Sequence, residues 1–376
     1  MDFIPYGKQS ITQEDIDAVV EVLHSDYLTT GPKVKAFEEA IAAYCGASYC
    51  VAVANGTAAL HLISLVLLNK GDKVLTTPNS FLATSNSILY AEAQPVFVDI
   101  AQDGNIDLDA CEALLQKDPS IKALYGVAFS GNMLNQEKLR HIKQKYNIII
   151  LEDNAHAIGA EYDGIKAGGC INSDASIFSF HPVKHLTTAE GGAITTNSKE
   201  VYEKLLVLRN HGMVKTPEMK PWEYEMRELG FNYRITDLQC ALGLSQLHKL
   251  PSFIAKRVEI AKRYDEAFCD TAIEPLYTYN SKSSYHLYVV LVDFSKCSIS
   301  KEELFIKMRE KNIGLQLHYI PINKQPYYKS LGYGDEQIPL MDSYYERCFS
   351  LPMYPALKQE EQEYVINTLQ EVLELA

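Results

Sequence analysis

Between Asn55 and Thr196, short runs rich in apolar and β-branched residues alternate with amphipathic stretches of about ten to fifteen residues. That alternation marks a mostly parallel sheet with helices on its faces, because a strand can return parallel to its neighbour only through a long crossover. It predicts strands near Val74–Thr77, Pro95–Ile100, Leu124–Phe129, Ile148–Glu152, Ser176–Phe180 and Gly192–Thr196, with helices over Ser80–Ala91, Asp107–Gln116 and Gln136–Tyr146. The run from Asn147 to Leu151 is apolar after its first residue, as in a strand covered on both faces, so it reads as central. Ligands of open α/β sheets gather at the carboxyl ends of strands, which aims Glu152, Asp153 and the turn after them at a site.

After Gly243 the texture changes. A helical stretch from Leu244 to Asp270 precedes strands at Ser284–Val292 and Gly314–Tyr319 and a terminal helix from Gln359. With 376 residues, two domains are expected: a large one over 1–245 that includes an N-terminal arm, and a small α+β one over 246–376. The longest nearly apolar stretch, Ala58 to Leu68, is broken by His61 and Ser64 and falls short of the roughly 18 to 20 residues a membrane helix needs. No membrane span and no export signal are expected.

Eight cysteines lie scattered without a CxxC pair, which argues against a zinc site and a disulfide framework. No metal is expected, and a reducing cytoplasm fits. A formal charge of −13 disfavours a broad nucleic-acid surface, which needs clustered Lys and Arg, but leaves an anionic small substrate open.

The sharpest local feature runs from Ser179 through Lys184 to Gly191 and Gly192: a strand end, a lysine in a polar turn, then glycines before another strand. Alone, such a lysine reads as a solvated loop residue. Its companions suggest more. An amine that forms a Schiff base must be desolvated or crowded by positive charge. Pyridoxal phosphate (PLP) then needs a carboxylate at its ring nitrogen, and Asp153 is placed for that. Its phosphate needs donors, and the turn Asn55-Gly56-Thr57-Ala58 before an apolar helix supplies a helix N-terminus. Ser179 adds a hydroxyl.

The order Gly56-Thr57-Ala58, Asp153-x-x-His156, Ser179-x-x-x-x-Lys184 and Gly230-Phe-Asn232-Tyr-Arg-Ile-Thr-Asp237 resembles the DegT-type sugar aminotransferases over essentially the whole chain. Phe180 to Lys184, Thr187 to Gly192 and Pro221 to Asn232 are most similar to the branch that aminates C4 of UDP-linked keto-sugars in pseudaminic acid biosynthesis. The resemblance implies an α/β fold of PLP-transferase type I, with a mostly parallel seven-stranded sheet and a small C-terminal α+β domain. It implies L-glutamate and a UDP-linked keto-sugar as substrates, and a homodimer with shared active sites.

Carried over residue by residue, the resemblance makes Lys184 the Schiff-base lysine and proton carrier and Asp153 the partner of the pyridine nitrogen. Phe81 would stack on the ring, and His156 would stand near the phenolic oxygen. Thr57, the Ala58 N–H and Ser179 would hold the phosphate, with Asn232 reaching the cofactor of the neighbouring subunit. Tyr6, Lys33, His318 and Tyr319 fall in segments that border the sugar-nucleotide pocket in relatives. Two rivals share the fold: a PLP-dependent sugar dehydratase, whose lysine is typically replaced by histidine, and a non-catalytic PLP-binding regulator.

Overall fold

The computed structural model of the chain describes residues 2–277 and 279–374. Its main sheet has seven strands, here β1 (Tyr49–Val53), β2 (Lys73–Thr76), β3 (Gln94–Phe97), β4 (Ile121–Val127), β5 (Ile149–Asp153), β6 (Ala175–Ser179) and β7 (Gly192–Thr196). Their spatial order is β1-β7-β6-β5-β4-β2-β3. Strand β7 pairs antiparallel with both of its neighbours, and the remaining pairs are parallel. The apolar run before Asp153 is central, between β4 and β6.

Local chemistry explains where the crossovers begin and end. Asn55, Asp107 and Asn135 each cap a helix by accepting backbone N–H groups, which replaces partners the first turn lacks. Asn147 ends the helix Gln136–Tyr146 in the left-handed region, at φ 50°, and turns the chain into β5. Fully buried Val51, Leu62, Ile63, Tyr125 and Ile194 fill the layer between the sheet and the helices on one face. Each large aliphatic buried there contributes about 1.5–3 kcal/mol.

A second core forms on three antiparallel strands, Ile273–Pro275, Tyr288–Val292 and Cys348–Leu351. Helices Lys301–Glu310 and Gln359–Val372 contribute Leu304, Met308, Val365 and Leu369 to it. The helix joining the two cores is longer than its periodicity suggests. It runs from Asp237 to Phe268, passing without a break through position 245. Its start is a reciprocal cap: Thr236 Oγ1 accepts the Gln239 N–H at 3.2 Å, while Gln239 Oε1 accepts the Thr236 N–H at 3.0 Å.

Three segments differ from expectation. The first residues of the N-terminal arm lie on the second core rather than the first: Ile4 is buried there, bonded to Asn312 and Gly314. Gly314–Tyr319 is not a ladder strand, since it meets Ser350 only at Gln316 before turning toward the sheet's carboxyl edge. In Ser284–Val292, only Tyr288–Val292 joins a ladder. Ser284 and Leu287 instead donate to the carbonyls of Gly131 and Ser130, which draws the intervening His286 across to the large sheet.

Candidate active site

Strand geometry sorts the two carboxylates at the end of β5, because successive side chains leave opposite faces. Glu152 accepts from Gln136 Nε2 at 2.8 Å and Ser173 Oγ at 2.7 Å, tying the neighbouring helix and loop to the sheet. Its expected place in the site is therefore corrected: Glu152 faces the structural side. Asp153 takes the other side. Thr84 Oγ1 donates to its Oδ2 at 2.6 Å and the Ala155 N–H to its Oδ1 at 3.0 Å. Burial raises the Asp153 carboxyl above the usual carboxylate range, against the pull of Thr84, the Ala155 N–H and Lys184. A carboxylate has room for further donors, so a pyridinium N–H can still be accepted.

Lys184 stands in the turn after β6, with its backbone N–H donated to His181 at 2.9 Å. The residue is half-buried and its amine points inward, 3.5 Å from Nε2 of buried His286. Burial, reinforced by the charge of Arg257 and opposed by Asp153, lowers the amine to about 8. Arg257 is itself fully buried on the long helix, donating to the carbonyls of Tyr285, His286 and Met353.

A row of rings continues from His286. Its centroid lies 4.3 Å from that of His156, and His156 Nε2 is 3.2 Å from the Tyr319 hydroxyl. The Tyr319 ring is 6.4 Å from that of Phe81, which is 61% exposed and thus open to a stacking partner. His318 packs between Tyr6 and Tyr319, with ring centroids 5.5 and 4.8 Å away, and its Nδ1 is bonded to Ser350 Oγ at 2.8 Å. His318 is buried, so its ring supports Tyr319 rather than facing solvent.

The anion end is formed by the helix Gly56–Leu67 and Ser179. A Cβ at Gly56 would sit 2.9 Å from Ser179 Cβ and 3.2 Å from its Oγ, and one at Gly192 would meet the Asn55 carbonyl carbon and oxygen at 2.6 Å. Both glycines are needed for this close approach. Thr57 is exposed at the helix start. The Ala58 N–H, expected to face a phosphate, donates to Asn55 Oδ1 at 2.8 Å, so an anion has to share it with the cap.

Lys33 and Asn232 lie apart from this cluster. Lys33 Nζ pairs with Glu21 at 3.0 Å and its backbone N–H reaches Asp237. Asn232 is exposed, bridged to Asn210 beside Arg234. No described hydrogen bond or ring contact joins either residue to Lys184.

Sequence reasoning missed Thr84, His286 and Arg257. Thr84 left a trace, as one of several hydroxyl and amide residues in a short helix that is half-sunk in the core. His286 and Arg257 reach the site from the other core, and only the fold brings them there.

The chain from residue 9 to 370 matches the model of the DegT/DnrJ/EryC1/StrS aminotransferase family. It is 41% identical to a Campylobacter jejuni UDP-4-amino-4,6-dideoxy-N-acetyl-beta-L-altrosamine transaminase, over 99% of this chain and 98% of the relative. The chain belongs to this family. Among solved structures, Helicobacter pylori PseC, an aminotransferase of pseudaminic acid biosynthesis, superposes with a TM-score of 0.93 at 34% identity, covering 99% of this chain and 100% of its own. A Streptococcus pneumoniae sugar aminotransferase in its PLP form gives 0.90 at 32% identity, over 99% of each chain.

As a member of the DegT/DnrJ/EryC1/StrS aminotransferase family, the protein is an aminotransferase and uses PLP. The donor set suits that group: a buried carboxylate for a ring nitrogen, a lysine with a lowered pKa, an exposed aromatic, and a glycine cradle between a helix N-terminus and a serine hydroxyl. When bound, PLP supplies an electron sink that stabilises negative charge at the substrate carbon.

Proposed function

We propose that this aminotransferase moves the amino group of L-glutamate to C4 of a UDP-linked 4-keto-6-deoxy-N-acetylhexosamine. The product would be the UDP-linked 4-amino-4,6-dideoxy-N-acetyl-β-L-altrosamine. Lys184 joins the cofactor and afterwards carries a proton to and from the substrate carbon, a task suited to an amine titrating near the working pH. Asp153 holds the ring nitrogen. His156, paired with Tyr319, faces the ring's phenolic oxygen, and Phe81 lies on the ring. Thr57, Ala58 and Ser179 hold the phosphate. Asn232 completes the phosphate site of the partner in a homodimer, which accords with its exposure away from its own Lys184.

The observation that carries the reading is the inward-facing Lys184 amine within electrostatic reach of the buried Asp153 carboxylate. The choice of sugar is supported by what the C. jejuni and H. pylori relatives are named for. Protein loaded with PLP is expected to show the absorption of the lysine-bound cofactor, and glutamate should convert it to the pyridoxamine form with release of 2-oxoglutarate. If neither glutamate nor glutamine changes the spectrum, the reading fails. Lys184→Ala should abolish the lysine-bound absorption altogether. A panel of UDP-linked 4-keto sugars differing at C3 and C5 then tests the acceptor, and preference for another epimer would replace the proposed sugar.

A further inference from the structure

One buried group has no part in the roles above: the imidazole of His286. It arrives from the second core on the segment Ser284–Leu287 and ends 3.5 Å from Lys184 Nζ. Among the described residues it is the hydrogen-bond partner of that amine. We propose that His286 is the positioning residue for Lys184: its Nε2 takes one N–H of the amine and so fixes the direction of the amine's lone pair. This rests on the reading that Lys184 joins the cofactor.

Lysine carries its amine on a flexible four-carbon stem, and an amine that must attack a carbonyl and later carry a proton gains rate from being held in one direction. The His286 ring is built to hold something. It is 3% exposed, and its backbone carbonyl accepts Arg257 NH1 at 3.1 Å. Its faces and edges meet His156 at 4.3 Å and His185 at 5.4 Å between centroids. His185 in turn is anchored through Nε2 to the Ser284 carbonyl at 3.0 Å. The ring is therefore buried and flanked by His156 and His185 where it meets Lys184.

An acceptor at Nε2 requires a neutral ring with its proton on Nδ1. The charged and titratable groups around it favour the neutral ring, and its buried Nδ1 has no hydrogen-bond partner among the described residues, so the Nδ1 proton is part of what is proposed. Lys184 comes from its own turn, His185 from the same turn, His156 from the loop after β5 and Arg257 from the long helix. Burial and all four of these hold the imidazole well below its ordinary value. Asp153 is the carboxylate that acts on the amine itself, and it acts on Lys184 rather than on the histidine. The histidine consequently does not compete for the lysine's proton.

The test compares three substitutions in the full-length protein. His286→Gln keeps a polar atom near the Nε2 position, His286→Asn stops short of Nζ, and His286→Phe fills the ring's volume without a polar atom. The first readout is the rate at which cofactor-free protein takes up PLP between pH 6.5 and 9, followed by the lysine-bound absorption. Loss of one oriented hydrogen bond is expected to slow uptake about tenfold in the Asn and Phe variants, with the Gln variant within about threefold of wild type. The second readout is the primary isotope effect with Cα-deuterated glutamate, expected to rise in Asn and Phe and stay near wild type in Gln.

Wild-type uptake by the Asn and Phe variants, or a Gln variant as slow as Asn, overturns the proposal. Should the Phe variant fail to fold, the Asn and Gln pair decides by itself. Loading that survives Lys184→Ala overturns this proposal and the site reading together. Loading that depends on Lys184 but ignores all three His286 substitutions overturns this proposal alone.

Discussion

Glu152 and Asp153 are adjacent, equally buried carboxylates on the same strand, yet they belong to different regions. On Glu152's side of β5, both partners are neutral side chains that lock a helix and a loop onto the sheet. On Asp153's side, the partners are a threonine and a backbone N–H, and a cationic amine stands within electrostatic reach. Burial raises both acids. What separates structure from chemistry here is which face a strand residue occupies, not its type, its burial or its position along the chain.

The contrast can be broken by substitution. Asp153→Asn removes the charge that would keep a ring nitrogen protonated and is expected to lower turnover about 100- to 1000-fold, measured as kcat with glutamate. Thermal stability should change little, since the amide keeps the size, its oxygen can accept the Ala155 N–H and its NH2 can donate to the Thr84 hydroxyl. A change of less than threefold in kcat would remove Asp153 from its role. The same burial also acts on Lys184. Because the folded amine titrates near 8 and only its neutral form attacks, PLP uptake should rise about tenfold per pH unit below that value and level off above it. Uptake that keeps climbing to pH 10 would show an ordinary, solvated lysine.

Smaller effects sharpen the contrast. Thr84→Val deletes the 2.6 Å bond to Asp153, and about a tenfold loss in kcat is expected, with KM for glutamate nearly constant. An equal loss in stability and none in kcat would place Thr84 on the structural side. Glu152→Ala should reverse the pattern. It leaves Gln136 and Ser173 with buried, unpaired donors, costing about 1–3 kcal/mol in denaturant unfolding, while kcat stays within about twofold.

These two faces also show what was readable from sequence. The order and nature of the strands followed from periodicity, and with them the positions of Asp153, Ser179 and Lys184 at strand ends. The ends of the six large-sheet strands read this way shifted by three residues or fewer, whereas β1 was not read at all and Ser284–Val292 joins its ladder four residues late. The face of β5 was not readable, because a strand covered on both sides carries no alternation to say which residue points where. Contacts between the cores were equally hidden. His286 and Arg257 lie 102 and 73 residues beyond Lys184, and nothing local in their segments names it as a neighbour. Gly314–Tyr319 had a strand's composition but spends its length carrying His318 and Tyr319 inward, so its backbone pairs only at Gln316.

The long helix Asp237–Phe268 has a mechanical consequence. At 32 residues it is a rod of about 48 Å, rooted at Asp237 under the large sheet's flank and carrying Arg257 beneath His286. The two cores therefore share one helix instead of meeting at a loop, but Pro251 near its middle has no N–H to give, so the ladder already lacks one hydrogen bond there. Any bend between the cores is expected to concentrate at that proline, between the Asp237 root and the turn that carries Arg257 beneath His286.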